Sequence, residues 1–183
     1  MLRNRLTAAI LVGSPVLVIA MLATLFRRGT VVSDPVAGVQ LAYWIAFAGF
    51  FFGLTYGLLQ IVTETAVLRR ELSWGMSLTA YVTSKLVVLL PLLVAVDASL
   101  FAVLRLLDRL PAADAGTWGK LAGVFLLDAT AGLALGLLAS ALVTSPAQAT
   151  LALPMLCFPQ VLFSGAMVPV ATMTRGGDAI SEC

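Results

Sequence analysis

Two aspartates stand where an acid is expensive. Asp97 lies inside the apolar run Leu86–Leu104, and Asp128 lies inside Leu121–Val143. An aspartate at mid-helix costs about 3 kcal/mol on insertion into a bilayer, against about 0.3–0.6 kcal/mol gained by each Leu, Val or Phe, so the run around Asp97 still inserts. Acids at that depth serve substrate or proton routes by default, and a facing pair resists double ionisation. The plainer reading satisfies each of them with serine, threonine or water in a packed bundle, and Ser99, Thr130 and Ser140 stand nearby in sequence. Steps of four from Asp128 reach Gly132, Gly136 and Ser140, so the acid shares a helix face with a small-residue stripe and looks into the protein. Other chemistry is excluded. The 183 residues contain no histidine, which removes histidine triads and histidine metal sites. Cys157, within an apolar run, and Cys183, at the last position, are poorly placed for a disulfide framework. No Gly-x-x-x-x-Gly-Lys-Ser/Thr loop is present to cradle a nucleotide phosphate. A net charge of +2 without a basic block argues against nucleic acid as a partner.

The elements that position these acids follow from composition. Of the chain, 61% is apolar and 11% charged, where soluble domains hold about 45–50% and about 25%. The excess falls into five runs. The first, 6–26, is uncharged between Arg3, Arg5 and Arg27, Arg28, and reads as an uncleaved span. The second, 41–62, begins with the interfacial aromatics Tyr43 and Trp44, and carries Gly49, Gly53 and Gly57 on one helix face, a surface for close helix packing. The third, 81–107, holds Pro91 and a kink is expected there; the fourth is 121–143. The fifth, 147–170, has Pro154, Pro159 and Pro169, and a broken or kinked span is expected. Residues 171–183 read as the start of a loop. The chain is therefore expected to be a single all-α integral membrane domain, a bundle of about five transmembrane helices.

Charge does not orient it. With the amino end inside, the inner segments hold Arg3, Arg5, Arg69, Arg70 and Lys85, and the outer ones hold Arg27, Arg28, Arg105, Arg109, Lys120 and Arg175. That is no positive-inside signal. Between the second and third spans, 63–79 is too polar to cross and too apolar for a mere linker. Val67, Leu68, Leu72 and Met76 fall near one helical face, with Glu64, Arg69, Arg70 and Glu71 around them. A short amphipathic helix that lies on a membrane surface or docks in a partner's groove fits this pattern.

The wording of that segment carries a resemblance. Glu64-Thr-Ala-Val-Leu-Arg-Arg-Glu71, Gly75-Met-Ser77, Ala80-Tyr81, Ser84-Lys85 and Pro91 resemble the region after the second span in permease domains of G-subfamily-like ABC exporters, the type-2 ABC permeases. Phe158-Pro159-Gln-Val-Leu-Phe163-Ser164-Gly165-Ala-Met-Val-Pro169 is similar to the fifth span of that family. The resemblance implies that 63–79 is a cytoplasmic coupling helix docking on a nucleotide-binding domain, which places the amino end inside. It implies coupling positions at Glu64, Arg69, Arg70, Glu71 and Gly75, and a membrane boundary at Tyr81 and Lys85. ATP and Mg would then sit on the partner domain, with no cofactor and no enzymatic chemistry in this chain. The permease would work as a homodimer or pseudo-dimer among membrane lipid, in a plasma (inner) membrane, with substrate passing at the dimer interface. The family has six spans, and the sixth would follow the loop at 171–183. An alanine- and leucine-rich, lysine-poor composition points to a bacterial source. Two other classes stay open: an ion- or proton-coupled secondary transporter using Asp97 and Asp128, and a non-transporting membrane assembly protein whose glycine stripes only pack.

Overall fold

A computed structural model describes residues 5–25, 35–107 and 114–164. Their regular structure is helical throughout: α1 (Arg5–Leu25), α2 (Pro35–Leu58), a 3-10 turn (Val62–Glu64), α3 (Thr65–Ser73), α4 (Leu78–Leu106), α5 (Ala115–Leu142) and α6 (Pro146–Leu162). The arginines Arg3, Arg27, Arg28, Arg109 and Arg175, residues Gly165–Val170 of the fifth run with Pro169, and the segment 171–183 lie outside the described residues.

Three stretches are long and apolar enough to cross a membrane by length and composition: Gly38–Ser73, Leu78–Leu106 and Gly116–Leu142. At 29 and 28 residues, α4 and α5 exceed the roughly 20 residues that a hydrocarbon core of about 30 Å requires. With α1 at 21 residues and α6 at 17 beside them, the chain is an all-α membrane bundle.

The helix ends follow local chemistry. The Ser77 hydroxyl accepts from the Ala80 amide at 3.3 Å to start α4, and the Ser145 hydroxyl accepts from the Gln148 amide at 3.3 Å to start α6. Asp114 caps α5, taking the Thr117 hydroxyl and the Gly116 amide; the Thr117 bond, ahead of the amide, holds this exposed carboxyl below its ordinary value. A broken or kinked span is the expectation for the fifth run; among the described residues there is no break, since α6 passes uninterrupted through Pro154 and Pro159. Each proline removes one amide donor but leaves the rest of the ladder, and packed neighbours tolerate the loss. α4 likewise continues through Pro91.

α2 is the central helix. Within its apolar window 67% of residues are inside, against 28% on α4 and 33% on α5, so the latter two keep wide faces for lipid. Leu41, Ile45, Ala48, Phe52 and Tyr56 of α2 meet Leu89, Leu93, Val96, Leu100 and Leu104 of α4 and Phe125, Ala129, Leu133 and Leu137 of α5, with Ile19 and Leu22 of α1 closing the cluster. On the opposite flank Phe50 and Leu54 pack on Cys157 of α6. Val87, Val88, Val124, Leu127, Leu151 and Met155 point outward, as side chains in contact with lipid tails should.

Candidate functional site

The two small-residue stripes meet each other. A Cβ at Gly53 would fall on the Ala129 carbonyl oxygen, and one at Gly57 would come within 2.6 Å of the Leu133 oxygen. Reciprocally, a Cβ at Gly132 would fall on the Phe50 carbonyl oxygen, and one at Gly136 within 2.5 Å of the Leu54 oxygen. Backbone thus lies on backbone along the α2–α5 seam, with Asp97 Oδ1 beside Gly49 at its upper end.

At the other end of the seam Ser140 does more than pack. Its Oγ accepts from the Ile61 and Val62 amides, both at 3.0 Å, where α2 gives way to the turn leading into α3. One fully buried hydroxyl therefore ties the root of the charged segment to α5. Removing it leaves two donors without an acceptor, at about 1–3 kcal/mol each. Ser140→Ala is expected to lower stability by about 2–4 kcal/mol in detergent unfolding, whereas Ser99→Ala, whose hydroxyl only returns to Val96 on its own helix, should change it by less than about 0.5 kcal/mol.

A second tie runs to α4. The Lys85 ammonium donates to Glu64 Oε2 at 2.6 Å, and the Tyr81 hydroxyl donates to the same oxygen at 3.2 Å. Three separately chosen positions thus form one cluster across the hairpin between α2 and α4. Its charges are only partly exposed, 17% for the Lys85 side chain and 38% for that of Glu64.

Between these ties stands α3. It is amphipathic, yet none of its nine residues is buried. Arg69 and Arg70 are exposed, Glu71 is half-buried, and Val67 and Leu72 remain partly exposed. Trp74, directly after the helix, is 87% exposed. The helix ends in a Schellman motif: Met76 N–H donates to the Glu71 oxygen at 3.2 Å and Gly75 N–H to the Leu72 oxygen at 3.1 Å. Gly75 sits at φ 92°, where a Cβ is disfavoured, which gives this position a conformational reason. The sequence reading passed over Trp74, although a lone tryptophan beside an amphipathic helix is a signal for an interface.

Asp97 and Asp128 each keep one carboxyl oxygen buried without a hydrogen-bond partner among the described residues. The hydroxyls expected to satisfy them do not, for Ser99 and Thr130 donate to their own helices and Ser140 is engaged as above. Gln160 of α6 lies within hydrogen-bonding reach of Asp128 instead. It was missed because it neighbours Asp128 only across a helix interface; its one sequence signal was an amide within an apolar run.

A membrane bundle built on a tightly packed helix pair, with an exposed amphipathic helix tied at its root to two spans, defines a class: a polytopic membrane component. The family model of ABC-2 type transporters matches residues 1–178, and the chain belongs to that family. It is thus a membrane permease component of an ABC transporter, a transmembrane part that associates with an ABC nucleotide-binding partner and is not itself the ATPase. Comparison with curated proteins and with solved structures gave no match.

Proposed function

We propose that this chain is the membrane half of an ATP-driven exporter, in which α3 is the coupling helix. One observation carries the reading: the turn at the root of an amphipathic helix without a buried residue is fastened by Ser140 to α5 and by Glu64 to α4. A rigid element so fastened passes a displacement from a soluble motor to the spans. Glu64 belongs to the hinge, and Arg69, Arg70 and Glu71 to the surface offered to the nucleotide-binding domain, where ATP and Mg are held. α3 follows two preceding spans, so a cytoplasmic α3 puts the amino terminus on the cytoplasmic side of a plasma membrane. Two copies, or a copy and a relative, enclose the substrate path and rock between inward-open and outward-open states.

The test is Glu71→Ala in the reconstituted complex with its ATPase. ATP hydrolysis is expected to persist while substrate movement falls by about tenfold, a loss of about 1.4 kcal/mol in coupling. Unchanged movement per ATP would remove α3 from the coupling path.

A further inference from the structure

The two ties at the root of α3 stand beside one groove. Ile61, whose amide Ser140 holds, lines it from the turn; Val82 and Leu86, on either side of Lys85 in sequence, line it from α4; and Ala134, Leu138 and Ala141 line it from α5. Its volume is about 290 Å³, and every side chain on its wall is apolar. From Ala134 to Ala141 it follows α5 for seven residues, about 10 Å of helix.

What covers this groove is set by where it lies. It occupies the opening turns of α4 and the closing turns of α5, within stretches long and apolar enough to cross a membrane. Ala134 and Ala141 are exposed and Leu138 is 56% exposed, while Val87 beside Leu86 and Leu142 beside Ala141, at 64% and 76%, continue the outward apolar wall. The groove is thus a recess in the lipid boundary itself. Polar chemistry does not suit it, since a polar group placed there would give up water without gaining a partner. Nor does a helix, at about 10–12 Å across, enter so narrow a recess. A single extended hydrocarbon chain does. One leaflet supplies about 15 Å of the roughly 30 Å hydrocarbon core, so the groove spans most of the depth of one acyl tail.

We propose that the groove between α4 and α5 holds one acyl chain of a bilayer phospholipid, and that this bound lipid steadies the joint at the root of α3. In an empty groove Ile61, Val82 and Leu86 would lack van der Waals partners on that side. The tail supplies those contacts to the residue that Ser140 holds and to the turn of α4 that carries Lys85. The binding goes beyond the exporter reading; its effect on coupling rests on that reading.

The test is photolabelling of the full chain in phosphatidylcholine nanodiscs that contain a phosphatidylcholine with a diazirine in one acyl tail, the adducts being located by mass spectrometry. Labelling at Val82, Leu86 and Leu138 is expected to exceed that at Val88 and Leu142, outward-facing residues outside the groove, by at least about fivefold. Ala134→Phe, which puts a ring into the recess from an exposed position, should cut groove labelling at least about fivefold and leave Val88 and Leu142 unchanged; Ala134→Leu carries the same direction if the phenylalanine variant does not purify. Equal labelling at all five positions, or groove labelling that the filling variants leave within twofold, would overturn the site. So would a disulfide between two copies of Leu138→Cys, which would seat a second chain there in place of lipid. The steadying role is read by amide exchange at Ile61 and Val62, whose N–H groups donate to Ser140. Exchange is expected to quicken at least about threefold when the chain is delipidated in detergent, and to stay slow in delipidated Ala134→Phe, where the ring replaces the tail. Unchanged exchange, or exchange that quickens equally in both, would overturn that role. Neither readout uses the ATPase, so this site and the Glu71→Ala experiment fail separately.

Discussion

Gly53→Leu is expected to dismantle the bundle. At this position the first atom of any side chain falls on the Ala129 carbonyl oxygen and within 2.8 Å of the Leu133 amide nitrogen. Both are backbone atoms of a regular helix, which cannot swing aside as a side-chain tip can. Forcing extra atoms into a packed core costs about 1–3 kcal/mol, and more when backbone must shift. Here α5 would move as a unit, opening the seam at Gly57, Gly132 and Gly136 as well, so the loss should exceed about 3 kcal/mol. Folded protein recovered by size exclusion after mild heating should fall sharply. The contrast lies within the same stripe. At Gly49 an added Cβ meets Ala129 Cβ and Asp97 Oδ1 at an ordinary 3.5 Å, and at Gly123 it meets nothing within 4 Å. Alanine at either should change stability by less than about 0.5 kcal/mol. Equal sensitivity at Gly49, Gly53 and Gly123 would mean that α2 and α5 do not meet in this register.

Glu64→Gln is expected to disconnect α3 while sparing the fold. The carboxylate holds both the Lys85 ammonium and the Tyr81 hydroxyl; a glutamine oxygen can still accept but carries no charge to hold Lys85, so the tie between the root of α3 and α4 is loosened. A partly exposed pair of this kind contributes about 1 kcal/mol to stability, too little to unfold the bundle. It fixes the direction in which a push on α3 reaches α4, so substrate moved per ATP should fall by about tenfold with hydrolysis intact. Reversing the pair, Glu64→Lys with Lys85→Glu, should recover much of the loss, since the attraction survives exchange of its ends. Tyr81→Phe, which removes one neutral donor, should cost stability by about 0.5–1.5 kcal/mol and transport by less than twofold. Additive effects of Glu64→Gln and Lys85→Met would show that the two residues do not act together.

The legible parts of the sequence were those that depend on one helix at a time. Long apolar runs announced a membrane bundle because an aqueous core cannot absorb them, and the stripes at Gly49, Gly53, Gly57 and at Gly132, Gly136, Ser140 are visible at a period of four. The family was legible in the wording of 64–91 and 158–169. Facts between helices were hidden. No spacing tells that one stripe meets the other, or that Gly53 lies on carbonyl backbone while Gly49 lies beside a carboxylate, since both depend on where two helices cross. Ser140 looked like a packing residue because its two amide partners stand 79 and 78 positions away. Glu64, Tyr81 and Lys85 were each singled out, but their convergence on one oxygen needs the hairpin closed. Of the broken or kinked span expected at Pro154 and Pro159, the break does not occur, since propensity yields to packing in a bundle.

The central claim, that α3 faces an ABC ATPase, is tested most directly by proximity. With Arg70→Cys as the sole thiol, Cys157 and Cys183 having been replaced by alanine and serine, a short bifunctional maleimide is added to inside-out membrane vesicles holding the complex. An adduct is expected between position 70 and the nucleotide-binding subunit, identified by photolabelling with an ATP analogue, and no such adduct from a cysteine at the outward-facing Leu127. Labelling of position 70 only from the opposite face of the membrane, or an accessible thiol that forms no adduct with the ATPase, would contradict it.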